Sequence, residues 1–138
     1  MPSTLTTIAR IPESDADRTR TWVLNVPDSG GGHGINGQTM DIGRTDAIVP
    51  LGDTEIWEIQ NATQMAHPFH IHGHAFEVLS VDGVAPDFRT LEDTFNVGIG
   101  ERVRLRMVAD NPGDWMTHCH ILPHAEEGMM TVLRVLDP

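Results

Sequence analysis

The 138-residue chain has no lysine, a single cysteine, few aromatic residues and no apolar run approaching the length of a membrane-spanning helix. With one cysteine there is no internal disulfide, so Cys119 is a free thiol, a link to another molecule or a metal ligand. Basic side chains are scarce too: nine arginines face 20 acidic residues, for a formal net charge of -11. That balance disfavours nucleic acid and anionic membrane surfaces as partners and leaves neutral or cationic ones. The opening MPSTLTTIARIPESD lacks the charged start and apolar stretch of a secretory signal, so the chain as given is expected to be soluble. The absence of lysine has no functional reading.

What is present is β-rich. At this length one hydrophobic core is expected, with residues 1–138 as a single domain. Short β-prone runs alternate with Gly, Pro, Asn and Asp, and helical periodicity is scarce. In ERVRLRMV, residues 101–108, Arg102, Arg104 and Arg106 alternate with Val103, Leu105 and Met107, which predicts one wet face and one buried face. Further strands are expected at 4–10, 20–26, 54–60, 75–81, 115–120 and 130–136, with residues 1–19 holding an N-terminal strand and a linker. The glycine-rich 28–34 reads as a loop, 49–53 and 110–114 as turns, and LPHAEEG at 122–128 as about one helical turn stopped by Gly128. The fold class is therefore all-β, a Greek-key β-sandwich. His33, inside the glycine loop, reads as a solvated loop histidine.

Seven of the eight histidines fall in two windows, HPFHIHGH at 67–74 and HCHILPH at 118–124. Side chains alternate along a strand, so His118 and His120 point one way and Cys119 the other. By the same rule His70 and His72 share a face, while His67 lies across a proline and is aimed separately. A cysteine thiolate with two imidazoles and a weak thioether is the type 1, blue-copper donor set, and His67, His124 and a methionine after Gly128 are available to complete it. His70, His72, His118 and His120 form an all-imidazole set suited to copper, zinc, iron or nickel. Zinc hydrolases and cupin-like dioxygenases also use HxH on a strand, but hydrolytic zinc has no use for a thioether and cupins usually add a carboxylate. The type 1 donors also occur in copper nitrite reductase, whose second site does not call for an HCH triplet.

HPFHIHGHAF followed by HCHILPHAEEGMM resembles the copper-binding motif pair in the C-terminal cupredoxin domain of laccase-type multicopper oxidases. The likeness runs from about residue 33 to 138, roughly three quarters of the chain. It implies a type 1 copper held by His67, Cys119, His124 and Met129, the last lying ten residues past the cysteine. It also matches His70 to a type 2 copper, and His72, His118 and His120 to a type 3 pair. Met130 is expected in the core and His74 as a polar strand residue or a support to the ligands. The implied chemistry is one-electron oxidation of a small reductant, a phenol or aromatic amine. Electrons then pass from Cys119 to His118 and His120 and on to a trinuclear cluster that reduces dioxygen to water.

The resemblance is incomplete in one respect. The family's trinuclear cluster takes eight histidines, four of them from HxH motifs of another domain, and His33 is the only histidine in residues 1–66. The chain is therefore expected to supply a complete type 1 site and half of a trinuclear site. Three arrangements fit: a domain of a larger oxidase, a homo-oligomer sharing copper at its interfaces with a homotrimer as the first to test, or a single-domain blue-copper electron carrier. His124 is the expected exposed edge of the type 1 site, with Glu126 and Glu127 as a solvated acidic turn. Met40, Met65, Met107 and Met116 are scattered and read as packing residues. The resemblance points to a periplasmic or secreted location.

Overall fold

The computed structural model describes residues 7–137. Among the described residues, one 3₁₀ turn, Glu13–Asp15, precedes eleven strands and one short helix. In chain order these are β1 (Arg18–Asn25), β2 (Gly34–Ile35), β3 (Ala47–Pro50), β4 (Thr54–Asn61), β5 (His67–Ile71) and β6 (Phe76–Val81), then β7 (Leu91–Glu92), β8 (Thr94–Val97), β9 (Arg102–Val108), β10 (Gly113–Cys119), α1 (Leu122–Glu126) and β11 (Met130–Leu136). They form two sheets, ordered β2-β1-β4-β9-β6-β7 and β3-β11-β10-β5-β8. The β1–β4 and β3–β11 pairs are parallel and the remaining strand pairs antiparallel. Successive strands change sheet repeatedly, as Greek-key connections require.

The core lies between the sheets. β4 is central in its sheet, flanked by β1 and β9, and so its residues are buried almost throughout. Trp57 of β4 meets Trp22 of β1 edge-on at 5.2 Å and Phe69 of β5 at 6.4 Å, which ties the two sheets together. Full burial of a ring such as Phe69 contributes roughly 2–3 kcal/mol. Along β5, His67, Phe69 and Ile71 are buried and alternate with the half-buried Pro68 and His70. β10 runs antiparallel beside it with Cys119 opposite Phe69 and His118 opposite His70. The core face of this sheet thus carries His67 and Cys119, and its outer face carries His70 and His118.

Two expectations fail here. Residues 4–6 of the expected N-terminal strand lie outside the described residues, and 7–10 form no strand. The Ile8 and Ala9 carbonyls accept hydrogen bonds from Arg89, and the Ile11 carbonyl from Arg106, so arginine side chains take the place of a neighbouring strand. The second failure is the wet face of β9. Val103, Leu105 and Met107 are buried as expected, but Arg106 is buried as well, because it is paired with the buried Glu77 of β6.

Glu77 also receives Arg89 at 2.5 and 3.0 Å. The hydrogen bonds from Arg89, followed by those from Arg106 against an opposing cost of burial, hold its carboxyl below the ordinary value of 4.5. A carboxylate depressed on folding stabilises fully above that value, and its contribution is lost as pH falls below it. Glu77→Gln is expected to cost roughly 3 kcal/mol, since Arg106 is left buried without a counter-charge. The variant should also flatten the pH dependence of the denaturation midpoint below 4.5. An unchanged acid limb would show that Glu77 does not link folding to protonation.

Candidate metal centre

β10 ends at Cys119 on a bridge between two clusters of side chains. On the core side, Cys119 Sγ lies 3.5 Å from His67 Nδ1 and 3.6 Å from His124 Nδ1, and the two Nδ1 atoms are 3.2 Å apart. Strand β5 brings His67, and helix α1, the helical turn expected at 122–128, brings His124. The turn after α1 brings Met129. Gly128, at φ +117, makes that turn in the left-handed region, and a Cβ there would stand 2.5 Å from Thr39 Cβ, so no other residue fits. Met129 is fully buried, and its carbonyl accepts the Cys119 amide at 3.1 Å, which fixes the two residues across from each other.

Polar neighbours orient the rings. Thr63 Oγ1 lies 2.7 Å from His67 Nε2, and its own hydroxyl faces Asn61 Oδ1 and the Met65 carbonyl, so His67 Nε2–H donates to it. That leaves the His67 Nδ1 lone pair directed at Cys119. Burial, then the neighbouring His124 and His33, push the His67 pKa down to about 4. Burial lowers that of His124 and raises that of the Cys119 thiol. At neutral pH the imidazoles therefore have free lone pairs, and a thiolate here calls for a cation.

On the outer face, His72 Nε2 and His118 Nε2 stand 2.8 Å apart. His70 lies 4.9 Å from His72 and 5.4 Å from His118, centroid to centroid, and His120 stands 5.3 Å from His70 and 5.8 Å from His118. His70 Nδ1–H donates to the Asp93 carbonyl and Thr94 Oγ1, both at 2.8 Å. His118 Nδ1–H donates to the Cys119 carbonyl at 2.8 Å. Both bonds leave Nε2 free toward the cluster. Burial, then the adjacent His118, lowers the His72 pKa, and burial lowers that of His118. The structure places His67 and His124 beside Cys119 on the core face and His70, His72, His118 and His120 near one another on the outer face, where ligand nitrogens of His70, His72 and His118 lie within 4.8 Å of one another.

Four side chains depart from expectation. His33 is not a solvated loop residue: its ring stacks on His124 at 3.8 Å and an interplanar angle of 19°, and its Nδ1–H donates to Glu127 at 2.5 Å. Glu127 is accordingly half-exposed and paired rather than simply solvated. His124 is only 6% exposed, since His33 covers it. Met130 is half-buried, because it pairs with His118 in register and so shares that outer face, while Met129 takes the core position. His74 is not among these departures: it is buried edge-on to Trp115, and its Nδ1–H donates to the His72 carbonyl at 3.1 Å, which supports the backbone of the outer cluster.

A family model described as multicopper oxidase matches residues 3–138. The chain belongs to the multicopper oxidase family. It is 44% identical over 109 residues to a multicopper oxidase of Staphylococcus epidermidis, covering 75% of this chain and 24% of that one. With a laccase of Haloferax volcanii it shares 39% identity over 144 residues, covering 97% and 24%. Among solved structures, the multicopper oxidase of Campylobacter jejuni, described as a metallo-oxidase, superposes with a TM-score of 0.88 at 32% identity, covering 99% of this chain and 33% of that one. The chain thus spans about a quarter of the length of the curated relatives it matches.

As a multicopper oxidase domain it has the cupredoxin-like fold and takes copper as cofactor. The donors fit that metal. A buried sulfur with two imidazole nitrogens suits copper, and the second cluster offers imidazole alone. Sequence reasoning missed the roles of His33, Glu127, Thr63, Asp93 and Thr94. The one available signal was that His33 is the sole histidine before residue 67 and begins the stretch of family likeness.

Proposed function

We propose that the chain is one cupredoxin domain of a laccase-type oxidase, with a complete type 1 copper site at His67, Cys119, His124 and Met129. His70, His72, His118 and His120 are one half of a trinuclear site, and a further domain or subunit completes it. The observation that carries this reading is the end of β10, where consecutive residues face two clusters. Copper, when bound, supplies one-electron oxidation of a phenol or aromatic amine at the first site and reduction of dioxygen to water at the second. The chain's own residues supply geometry and a route. From Cys119 Sγ the path runs through the side chain to the carbonyl, and from there across a 2.8 Å hydrogen bond to the ring of His118. Thr63, Asp93 and Thr94 hold the rings so that their free nitrogens point inward.

Copper stoichiometry measured together with solution mass tests the reading. One tightly held copper per monomer, with an intense visible band, is the expected result, and additional copper is expected only in an oligomer or after the missing domains are added. A colourless copper-loaded protein would overturn the type 1 assignment, and a full complement of copper in a monomer would overturn the half-site.

A further inference from the structure

We propose that His33 is a lid on the type 1 site, latched by Glu127, which controls the access of electron donors to His124. The inference rests on the type 1 reading above. His124 is the ring of that site nearest the surface, yet it is buried, and what covers its face is the stacked ring of His33 at 3.8 Å. His33 also meets His67 edge-on at 5.6 Å, so one side chain closes over both imidazoles. Its own side chain is 21% exposed and therefore forms the outer surface at this point.

The lid has a hinge and a latch. Gly30, Gly31 and Gly32 all adopt left-handed φ, at +84, +72 and +69, and nothing lies within 4 Å of where a Cβ would stand at Gly30 or Gly31. Three successive residues without side chains give this segment little packing to hold it in place. Just beyond His33 the chain is anchored again as Gly34 enters β2. Between hinge and anchor, the bond from His33 Nδ1 to the Glu127 carboxylate ties the loop to the end of α1. A charge-assisted bond that is half exposed favours the closed state by about tenfold, or roughly 1.4 kcal/mol. A donor that needs the open state then reacts at a rate reduced to the open fraction, about a tenth.

Two measurements test the lid, the first without copper. The metal-free chain is treated with diethyl pyrocarbonate, and acylated histidines are mapped by mass spectrometry. In the wild type, His33 should react and His124 should be protected, and in His33→Ala and Glu127→Ala the His124 rate should rise about tenfold. In the second measurement the copper-loaded protein is reduced anaerobically by tetramethyl-p-phenylenediamine, and bleaching of the visible band is followed by stopped flow. Each amine gives one electron to a cupric ion, leaving a cuprous ion and the amine radical cation, with no proton moved. Both variants should keep the band and be reduced about tenfold faster. Unchanged His124 acylation in His33→Ala would overturn the lid, as would slower reduction, which would make His33 part of the donor's route. A colourless wild type would sink the type 1 reading, while the acylation pattern would still decide whether His33 covers His124.

Discussion

Cys119→Ser is expected to abolish the intense visible absorption of the copper-loaded protein completely while leaving the fold in place. The thiolate is the soft donor of the proposed set, and a serine hydroxyl replaces it with a hard, neutral oxygen of much weaker affinity for copper. The fold should survive because the register around Cys119 is set by backbone pairing. Its amide donates to the Met129 carbonyl and its neighbours pair with β5 and β11, none of which depends on sulfur. The substitution places a hydroxyl where a buried thiol stood, at a cost of about 1 kcal/mol if it bonds to His67 Nδ1. Absorption spectra and denaturant midpoints of the two proteins check both halves of the expectation. An intense band in the serine variant would refute Cys119 as its source, and an unfolded variant would be replaced by Cys119→Ala, for which the same loss is expected.

The alternation of His118, Cys119 and His120 was legible because strand geometry acts at the range of single residues, and the structure separates them as that geometry requires. Strand β11 falls within 130–136 for the same reason, as its buried and half-buried residues alternate cleanly. Longer-range facts were not legible. His33 and Glu127 are 94 residues apart, and nothing local in either segment announces that the glycine loop folds back over α1. The burial of His124 follows from that contact and was missed with it. Arg106 misled in a different way: its place in an alternating pattern predicted solvent, and a partner on another strand, Glu77, drew it inside. Residues 7–10 have strand-like composition, yet two arginines rather than a strand take up several of the backbone acceptors between residues 8 and 11. Pattern gives the face a side chain wants, and only the fold gives the partner that overrides it.

In monomeric form, the copper-loaded chain is expected to accept electrons from a donor without passing them to dioxygen at a catalytic rate. Each of the eight histidines has a place in the structure. His67 and His124 serve the first cluster, His33 covers it, and His74 is buried against Trp115. Four remain, and they stand together on the outer face of one sheet, where the family's arrangement calls for eight. If the outer cluster is the proposed half-site, it is open on one side and lacks the imidazoles that would complete the hold on the metal ions and enclose the oxygen. Under air, the bleached visible band should therefore recover slowly, and oxygen uptake should fall about three orders of magnitude below the ~10 s⁻¹ typical of enzymes. An oxygen electrode read beside light scattering makes the check, since steady uptake by a form shown to be monomeric would contradict the half-site. If uptake appears only in an oligomer, His118→Ala should remove it and spare the visible band, because His118 lies on the opposite face from Cys119 Sγ and contributes nothing to the first cluster.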